Sequence, residues 1–303
     1  MAELCNIYKQ KIFTMTNKIL TLLALILTIG MTSCGDDNDN GTLTLDLNGL
    51  TNLGDGYAYE GWIMVDGAPK TTGIFTVNDA GELSSTSFDI ATEDLDAATA
   101  FILTIEPSPD SDPAPSDVHI VAGDFAGDAA SVTVGHGAAL GDDFTSSAGG
   151  FILATPTDSD DTNEDAGVWF LDNSSGAPAV GLDLPTLPAG WAYEGWAVIN
   201  DTPVSTGTFT DVAAADNASL YSTGGPAYPG EDFLTNAPAG LSFPADLHGS
   251  TIVISVEPVP DNSPAPFVLK PLVKQVGADA QVHNYITLNN NATATNPTGT
   301  VTK

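Results

Sequence analysis

The sequence predicts an all-β protein made of two tandem antiparallel β-sandwich-like domains that arose by internal duplication. Three observations carry this expectation. "GYAYEGW" at 56–62 returns as "GWAYEGW" at 190–196. Short apolar and β-branched runs recur with turn residues between them, the pattern of an antiparallel sandwich. No stretch of helical length with a 3.6-residue period follows residue 40.

The first element is an address. Residues 19–31, "ILTLLALILTIGM", form an apolar run too short for a comfortable transmembrane helix, which needs about 20 residues. The run suits the core of a signal peptide, with Lys18 as its positive flank. Small residues, Cys34 and an acidic, Asn-rich spacer follow: "MTSCGDDNDNG". Met31-Thr32-Ser33-Cys34 resembles a bacterial lipobox, with Met31 in place of the usual Leu. That resemblance implies lipidation of Cys34 as the first mature residue. The acidic tract resembles the export signal of surface lipoproteins in Bacteroidetes-type bacteria. The expected division is therefore a signal peptide at 1–33 and a tether at 34–41. Met15 would be an ordinary start, which would make 1–14 an upstream extension. The competing reading, a short membrane-spanning anchor, fits the run length less well.

The repeated unit comes next. "YAYEGWIMVDGAPKTTGIFT" (57–76) aligns without a gap on "WAYEGWAVINDTPVSTGTFT" (191–210). "ILTIEPSPDSDPAP" (102–115) matches "VISVEPVPDNSPAP" (253–266). The offset grows from 134 to 151, so the second copy carries a 17-residue insertion. Its Pro/Gly-rich stretch 222–244 reads as loop. Asp66-Gly67 between two strand-like runs is a hairpin signal. "AFILTIEP" and "TIVISVEP" are strands ended by proline, which cannot continue an interior ladder. Two further strand candidates, 149–157 and 167–172, complete the first sandwich or bridge the two. The domains are expected at 42–176 and 177–290, with the boundary in a Gly/Ser/Pro-rich segment near 173–180. Residues 291–303 read as a disordered polar tail.

This pattern resembles the extracytoplasmic C-terminal domain of anti-sigma-K factors. In the first copy the resemblance rests on Tyr59, Trp62, Pro69, Gly73, Phe75, Glu106, Pro107, Pro113 and Pro115. In the second it rests on Tyr193, Trp196, Pro203, Gly207, Phe209, Glu257, Pro258, Pro264 and Pro266. It implies a β-sandwich-like domain outside the cytoplasmic membrane. An anti-sigma factor also needs a cytoplasmic domain to hold the sigma factor, and at most 18 residues precede the apolar run. Sigma-factor inhibition is accordingly not carried over.

Composition narrows the partners. The chain has 39 Asp plus Glu against 7 Lys and no Arg, a net charge of -32. Such a surface repels phosphate backbones, so no nucleic-acid partner is expected. It attracts cations, including Ca²⁺, and basic patches on other proteins. Cys5 and Cys34 both precede the folded region, so no disulfide framework is expected, and no Cys/His spacing suits zinc.

The candidate sites each have a structural reading beside the functional one. Glu60 and Glu194 share a strand face with Trp62 and Trp196, a side expected to be largely buried. With Glu106 and Glu257 they could form acid/base pairs of the kind glycoside hydrolases use. The structural reading is preferred, because two redundant active sites are less common than one duplicated feature. Each glutamate is then expected to accept backbone N–H bonds from an adjoining turn. Tyr59, Trp62, Tyr193 and Trp196 read as core, whereas Trp191, nearer a strand end, and Tyr221 are the candidates for exposed ligand-binding aromatics. Asp158, Asp160, Asp161 and Glu164 in "DSDDTNED" are hard oxygen ligands at close spacing, a candidate Ca²⁺ loop without the EF-hand pattern. No nucleophile motif and no phosphate-binding loop is present.

The resulting expectation is a non-catalytic, lipid-anchored protein of the outer membrane or cell surface. It would bind, sense or support an envelope protein or surface polymer, with no cofactor beyond the candidate Ca²⁺. A carbohydrate-binding surface protein is the alternative, and a glutamate-dependent glycoside hydrolase the third reading. Exposed coplanar aromatics would favour sugar binding, and carboxylates about 5–10 Å apart in an open cleft would favour hydrolysis.

Overall fold

In the repeated hairpins, alternation and turn chemistry decide the local structure. Strand β2 (Tyr57–Val65) returns as β3 (Ala68–Phe75), and β13 (Trp191–Ile199) returns as β14 (Thr202–Phe209). Asp66-Gly67 and Asn200-Asp201 make the turns with positive φ at both central positions, as a tight hairpin requires. The registers agree position for position. Tyr59 faces Phe75 and Gly61 faces Gly73, as Tyr193 faces Phe209 and Gly195 faces Gly207. Each hairpin then slips by one residue, so that Thr72 and Thr206 are the extra residues of a β-bulge. A Cβ on Gly61 or Gly195 would overlap the bulged threonine hydroxyl. On Gly195 it would also stand 2.6 Å from Phe170 Cε2. Glycine is thus required there by close approach.

The computed structural model describes residues 39–261 and 263–303. The expected signal peptide, Cys34 and the rest of the tether up to residue 38 lie outside the described residues. Asn40–Lys303 forms one compact, nearly all-β unit. Among the described residues, no helix is long and apolar enough to cross a membrane.

The first half is an eight-stranded antiparallel sheet, ordered β3-β2-β5-β6-β7-β20-β1-β4. Its other strands are β1 (Asn40–Asn48), β4 (Ser87–Ala91), β5 (Ala100–Pro107), β6 (His119–Ala126), β7 (Ala129–Thr133) and β20 (Thr298–Thr302). In β1 the alternation places Leu43, Leu45 and Leu47 inward. The sheet curls until its edges approach each other. Phe75 of β3 lies 6.3 Å from Phe88 of β4, ring to ring. This is the closure by which a barrel removes its edges.

The second half is a five-stranded sheet, β14-β13-β16-β17-β19, adding β16 (Thr251–Pro258), β17 (Leu272–Gln275) and β19 (Asn289–Asn290). Phe170 and Gly195 pack it against another sheet ordered β12-β8-β9-β15. That sheet comprises β8 (Ala148–Leu153), β9 (Gly167–Trp169), β12 (Leu182–Asp183) and β15 (Gly230–Asp232), and β18 (Ile286–Thr287) also pairs with β8. A small pair, β10 (Leu171–Asp172) with β11 (Ala179–Val180), crosses the segment between the halves.

Three expectations change. The boundary near 176 falls within paired strands, because the strands within 148–169 pair with strands from beyond 181 and 171–172 pair with 179–180 across it. The 222–244 loop contains β15, whose buried Glu231 and Asp232 hide a strand behind an acidic sequence. The tail 291–303 ends in β20, which pairs with both β1 and β7. Val301 is its one large apolar residue and is fully buried between Leu45 and Ala130. Lys303 fastens the end, donating to the carbonyls of Leu95 (2.7 Å) and Ala98 (3.0 Å) at the close of the short helix Thr92–Ala97. A single core cluster draws on both halves.

Two stability outcomes follow. Gly195→Ala should cost about 1–3 kcal/mol in a urea melt, the range for overpacking against stiff neighbours. Removing residues 298–303 should lower the melting temperature and promote aggregation, since it uncovers the ladders of β1 and β7. A truncated chain that melts like the full chain would refute the placement of β20.

Candidate functional site

The shared aromatic residues are held by the same contacts in both halves. Tyr59 donates to the carbonyl of Thr51 (3.0 Å), and Tyr193 to that of Pro185 (2.7 Å). Each ring stacks on its cross-strand phenylalanine, Phe75 at 5.5 Å and Phe209 at 5.6 Å. Trp62 Nε1 donates to Thr104 Oγ1 (2.9 Å) and Trp196 Nε1 to Ser255 Oγ (2.8 Å). All four rings are buried and offer no platform. Trp191 departs from expectation: it is only 3 % exposed and lies 6.1 Å from Phe267, ring to ring. The strand end that carries it is covered by the loop after β16. Tyr221 is half-buried in a cluster with Phe233 (5.7 Å) and Phe243 (5.4 Å).

The four glutamates split into two kinds. Glu106 and Glu257 end buried strands and accept backbone N–H bonds from the returning loop, from Ser116 and Phe267 respectively, each at 2.8 Å. Ser255 Oγ also donates to Glu257. Glu60 and Glu194 instead accept hydroxyl bonds, from Thr71 and Ser205. The N–H groups of Gly73 and Gly207 donate to those same hydroxyl oxygens, at 3.1 and 3.0 Å. Glu60 is half-exposed, because its face carries only the small cluster of Trp62, Ile102, Ala122 and Ala139, while Tyr59 and Ile63 face the main core. Burial raises the Glu60 carboxyl above its ordinary range.

The second half buries its pair much more deeply. Glu194 is 5 % exposed and Glu257 1 %. Burial pushes each carboxyl up to about 7. One oxygen of each, with one of exposed Asp261, lies within 4.8 Å of the others. Among the described residues, Oε2 of each glutamate has no hydrogen-bond partner. The separation resembles that of a hydrolase pair, but neither carboxylate stands in an open cleft.

The acidic loop spends its groups on itself. Asp158 accepts the N–H of Asp160 (3.1 Å) and the amide of Asn163 (2.9 Å). Asp160 accepts from Thr162 N (3.0 Å) and Thr162 Oγ1 (2.6 Å), bonds that lower its pKa. Glu164 accepts from Thr155 N (2.9 Å) and lies 3.4 Å from His283. The loop's neighbour Asp165, rather than Asp158, Asp160, Asp161 or Glu164, joins a gathered set, with Asp246 and His248. There Nδ1 of His248 lies 2.7 Å from Asp246, and Nε2 lies 3.0 Å from the Ala280 carbonyl, which raises the imidazole pKa. Both ring nitrogens of that histidine are thus occupied.

Two further features were not anticipated. The insertion supplies a buried acidic group, Asp232, which accepts from Trp169 Nε1 (2.6 Å), Thr157 N (2.9 Å) and Thr157 Oγ1 (2.6 Å). Its signal was the acidic dipeptide inside an otherwise loop-like segment, which reads equally as solvated. Second, an apolar cavity of about 290 Å³ lies where the Glu-Pro turns of the two halves meet. Tyr57, Ile105, Pro107 and Val118 face Pro258, Val259 and Pro260 across it. Val259 is 51 % exposed at its rim.

Residues 29–118 match the family described as "Anti-sigma-K factor rskA, C-terminal". The match takes in Tyr59, Trp62 and the Glu106–Pro115 segment, so the chain carries an anti-sigma-factor-like domain over these residues. The corresponding positions of the second half lie beyond it. No curated protein and no solved structure matches the chain.

The buried acids set a pH dependence. Glu194, Glu257 and half-buried Asp216 are each raised by burial to about 7. The folded state therefore keeps protons that the unfolded chain releases near pH 4. Their contribution to stability is full below that point and is lost as pH rises through about 7. With chelator present, the melting temperature should fall by several degrees between about pH 5 and pH 8. Asp216→Asn should flatten part of that fall, separating it from general charge repulsion. A melting temperature that climbs across this interval would contradict the assignment.

Proposed function

We propose that the chain is a non-catalytic cell-envelope lipoprotein whose two anti-sigma-factor-like units form one binding or sensing module. The two units are duplicates of one ancestral hairpin-and-strand module, a reading supported by identical registers and by matched bonds at Tyr59 and Tyr193 and at Trp62 and Trp196. Lipid at Cys34 holds the protein to the outer membrane or cell surface, and the acidic tract spaces it from the bilayer.

The cavity where the two Glu-Pro turns meet carries this reading. It is an apolar recess at a seam, on a chain with a net charge of -32, and each half contributes a wall. An apolar side chain of an envelope protein, flanked by basic residues, suits such a site by shape and charge. The burial of the shared tryptophans and of Glu106, Glu194 and Glu257 supports interaction through loops over sugar stacking or hydrolysis.

The experiment is site-specific photocrosslinking in intact cells. A crosslinker at 259 should capture a discrete envelope protein, and one at exposed Ile74 should not. Turnover of a surface polysaccharide that disappears in Glu60→Gln would overturn the non-catalytic reading.

A further inference from the structure

We propose that the second unit holds a divalent cation, Ca²⁺ by its donor set, between the carboxylates of Glu194, Glu257 and Asp261. Two observations independent of the acidic composition point there. The first is that Glu194 and Glu257 are more than nine-tenths buried, yet Oε2 of each has no partner among the described residues. A buried carboxylate oxygen left without a donor costs free energy that a cation in contact with it removes. The second is spacing. One oxygen from each of the three residues lies within 4.8 Å of the others. Oxygens this close can all touch one ion, and Ca²⁺, with oxygen ligands at about 2.3–2.6 Å, spans such a set.

The surroundings hold the ligands in place. Ser205 Oγ fixes Oε1 of Glu194. Ser255 Oγ and the N–H of Phe267 fix Oε1 of Glu257. In each glutamate one oxygen is anchored and the other is left over, as a preorganised ligand requires. Asp261 stands exposed at the rim, where the ion reaches the site from solvent. The set is all oxygen, without imidazole or thiol, which suits a hard cation. Lys270 is half-buried near Glu257 and makes no ion pair with a carboxylate among the described residues, so it does not occupy the place of the cation.

The first unit supplies an internal control. Glu60, Glu106 and Asp110 occupy the matching positions, with Thr71 and Ser116 as the matching donors. Glu60 is half-exposed there, and neither Glu60 nor Glu106 is among the residues with a buried unpartnered oxygen. The expected stoichiometry is therefore one ion per chain.

The test is calorimetric titration of CaCl₂ into the full chain in detergent, after chelator treatment and at about 0.15 M salt to screen diffuse binding. One Ca²⁺ should bind and raise the melting temperature by several degrees. Asp261→Asn, at the exposed rim where folding is not at stake, should weaken binding at least about tenfold, as ligand charge sets Ca²⁺ affinity. Asp110→Asn and Asp160→Asn should leave it unchanged. No saturable heat and no melting shift at millimolar Ca²⁺ would overturn the site. So would binding lost in Asp160→Asn but kept in Asp261→Asn, or a preference for Mg²⁺ over Ca²⁺.

Discussion

A glutamate at the end of a buried strand has to find donors, and both halves of this protein are arranged around that demand. Glu106 takes the N–H of Ser116, and Glu257 that of Phe267. In each case the donor sits ten residues on, beyond a Pro-rich turn. The bond therefore closes the loop onto the strand. With the loop fixed, Ile105 N can bond the carbonyl of Val118, and Val256 N that of Leu269. The returning segment is then in place to form the walls of the cavity. Glycine-containing turns complete the corner, since Ser108 N reaches the Gly56 carbonyl and Val259 N reaches that of Gly190. A carboxylate inside an apolar strand looks like a liability by transfer free energy. Here it is the clamp that makes the corner a defined object.

The two halves use the same corner on different scaffolds. In the first, the sheet runs on through β6, β7, β20 and β1 until β3 and β4 nearly meet, so the core is enclosed by one curled sheet. In the second, the hairpin and β16 are covered by strands drawn from 148–172 and from the insertion. Both solutions shelter the Tyr-containing face, and Phe101 and Phe170 fill the space above Gly61 and Gly195. The other face differs. In the first half it stays thinly covered and Glu60 reaches solvent. In the second, Glu194 is sealed in, which converts a shared structural residue into a pair of confined carboxylates.

Much of this was legible where periodicity and turn chemistry agree. The Asp66-Gly67 hairpin, the proline-ended strands and the buried tyrosines follow from period-two alternation and from the φ that glycine allows. The rest was hidden for physical reasons. "TGTVT" has one large apolar residue, and its strand exists because β1 and β7 both lack a partner there; no local property of the sequence reports that. β15 reads as loop because its inward groups are acidic, and their donors, Trp169 Nε1 and the N–H of Thr157, lie 63 and 75 positions away. Trp191 looked exposed because strand position alone does not reveal which loop will fold over it. Asp261 was within reach of the sequence: "EPSPD" and "EPVPD" repeat the aspartate at the same spacing as the glutamate.

That repeated aspartate bears on why the acidic pair is tolerated at all. Two adjacent buried carboxylates repel, and the hydroxyl and amide donors around them are too few for four oxygens. Three remedies exist: a proton, a lysine or a cation. A proton serves below neutral pH, which is where burial places both groups. Lys270 is close enough to be felt, and its own burial lowers its pKa, but among the described residues it makes no ion pair with either glutamate. An aspartate at the rim adds a third negative charge, which draws a positive partner of any of these kinds. A divalent ion brings two positive charges and can take oxygen ligands from all three at once. The all-oxygen rim, with oxygens of the three carboxylates within 4.8 Å of one another, suits a cation shared among them.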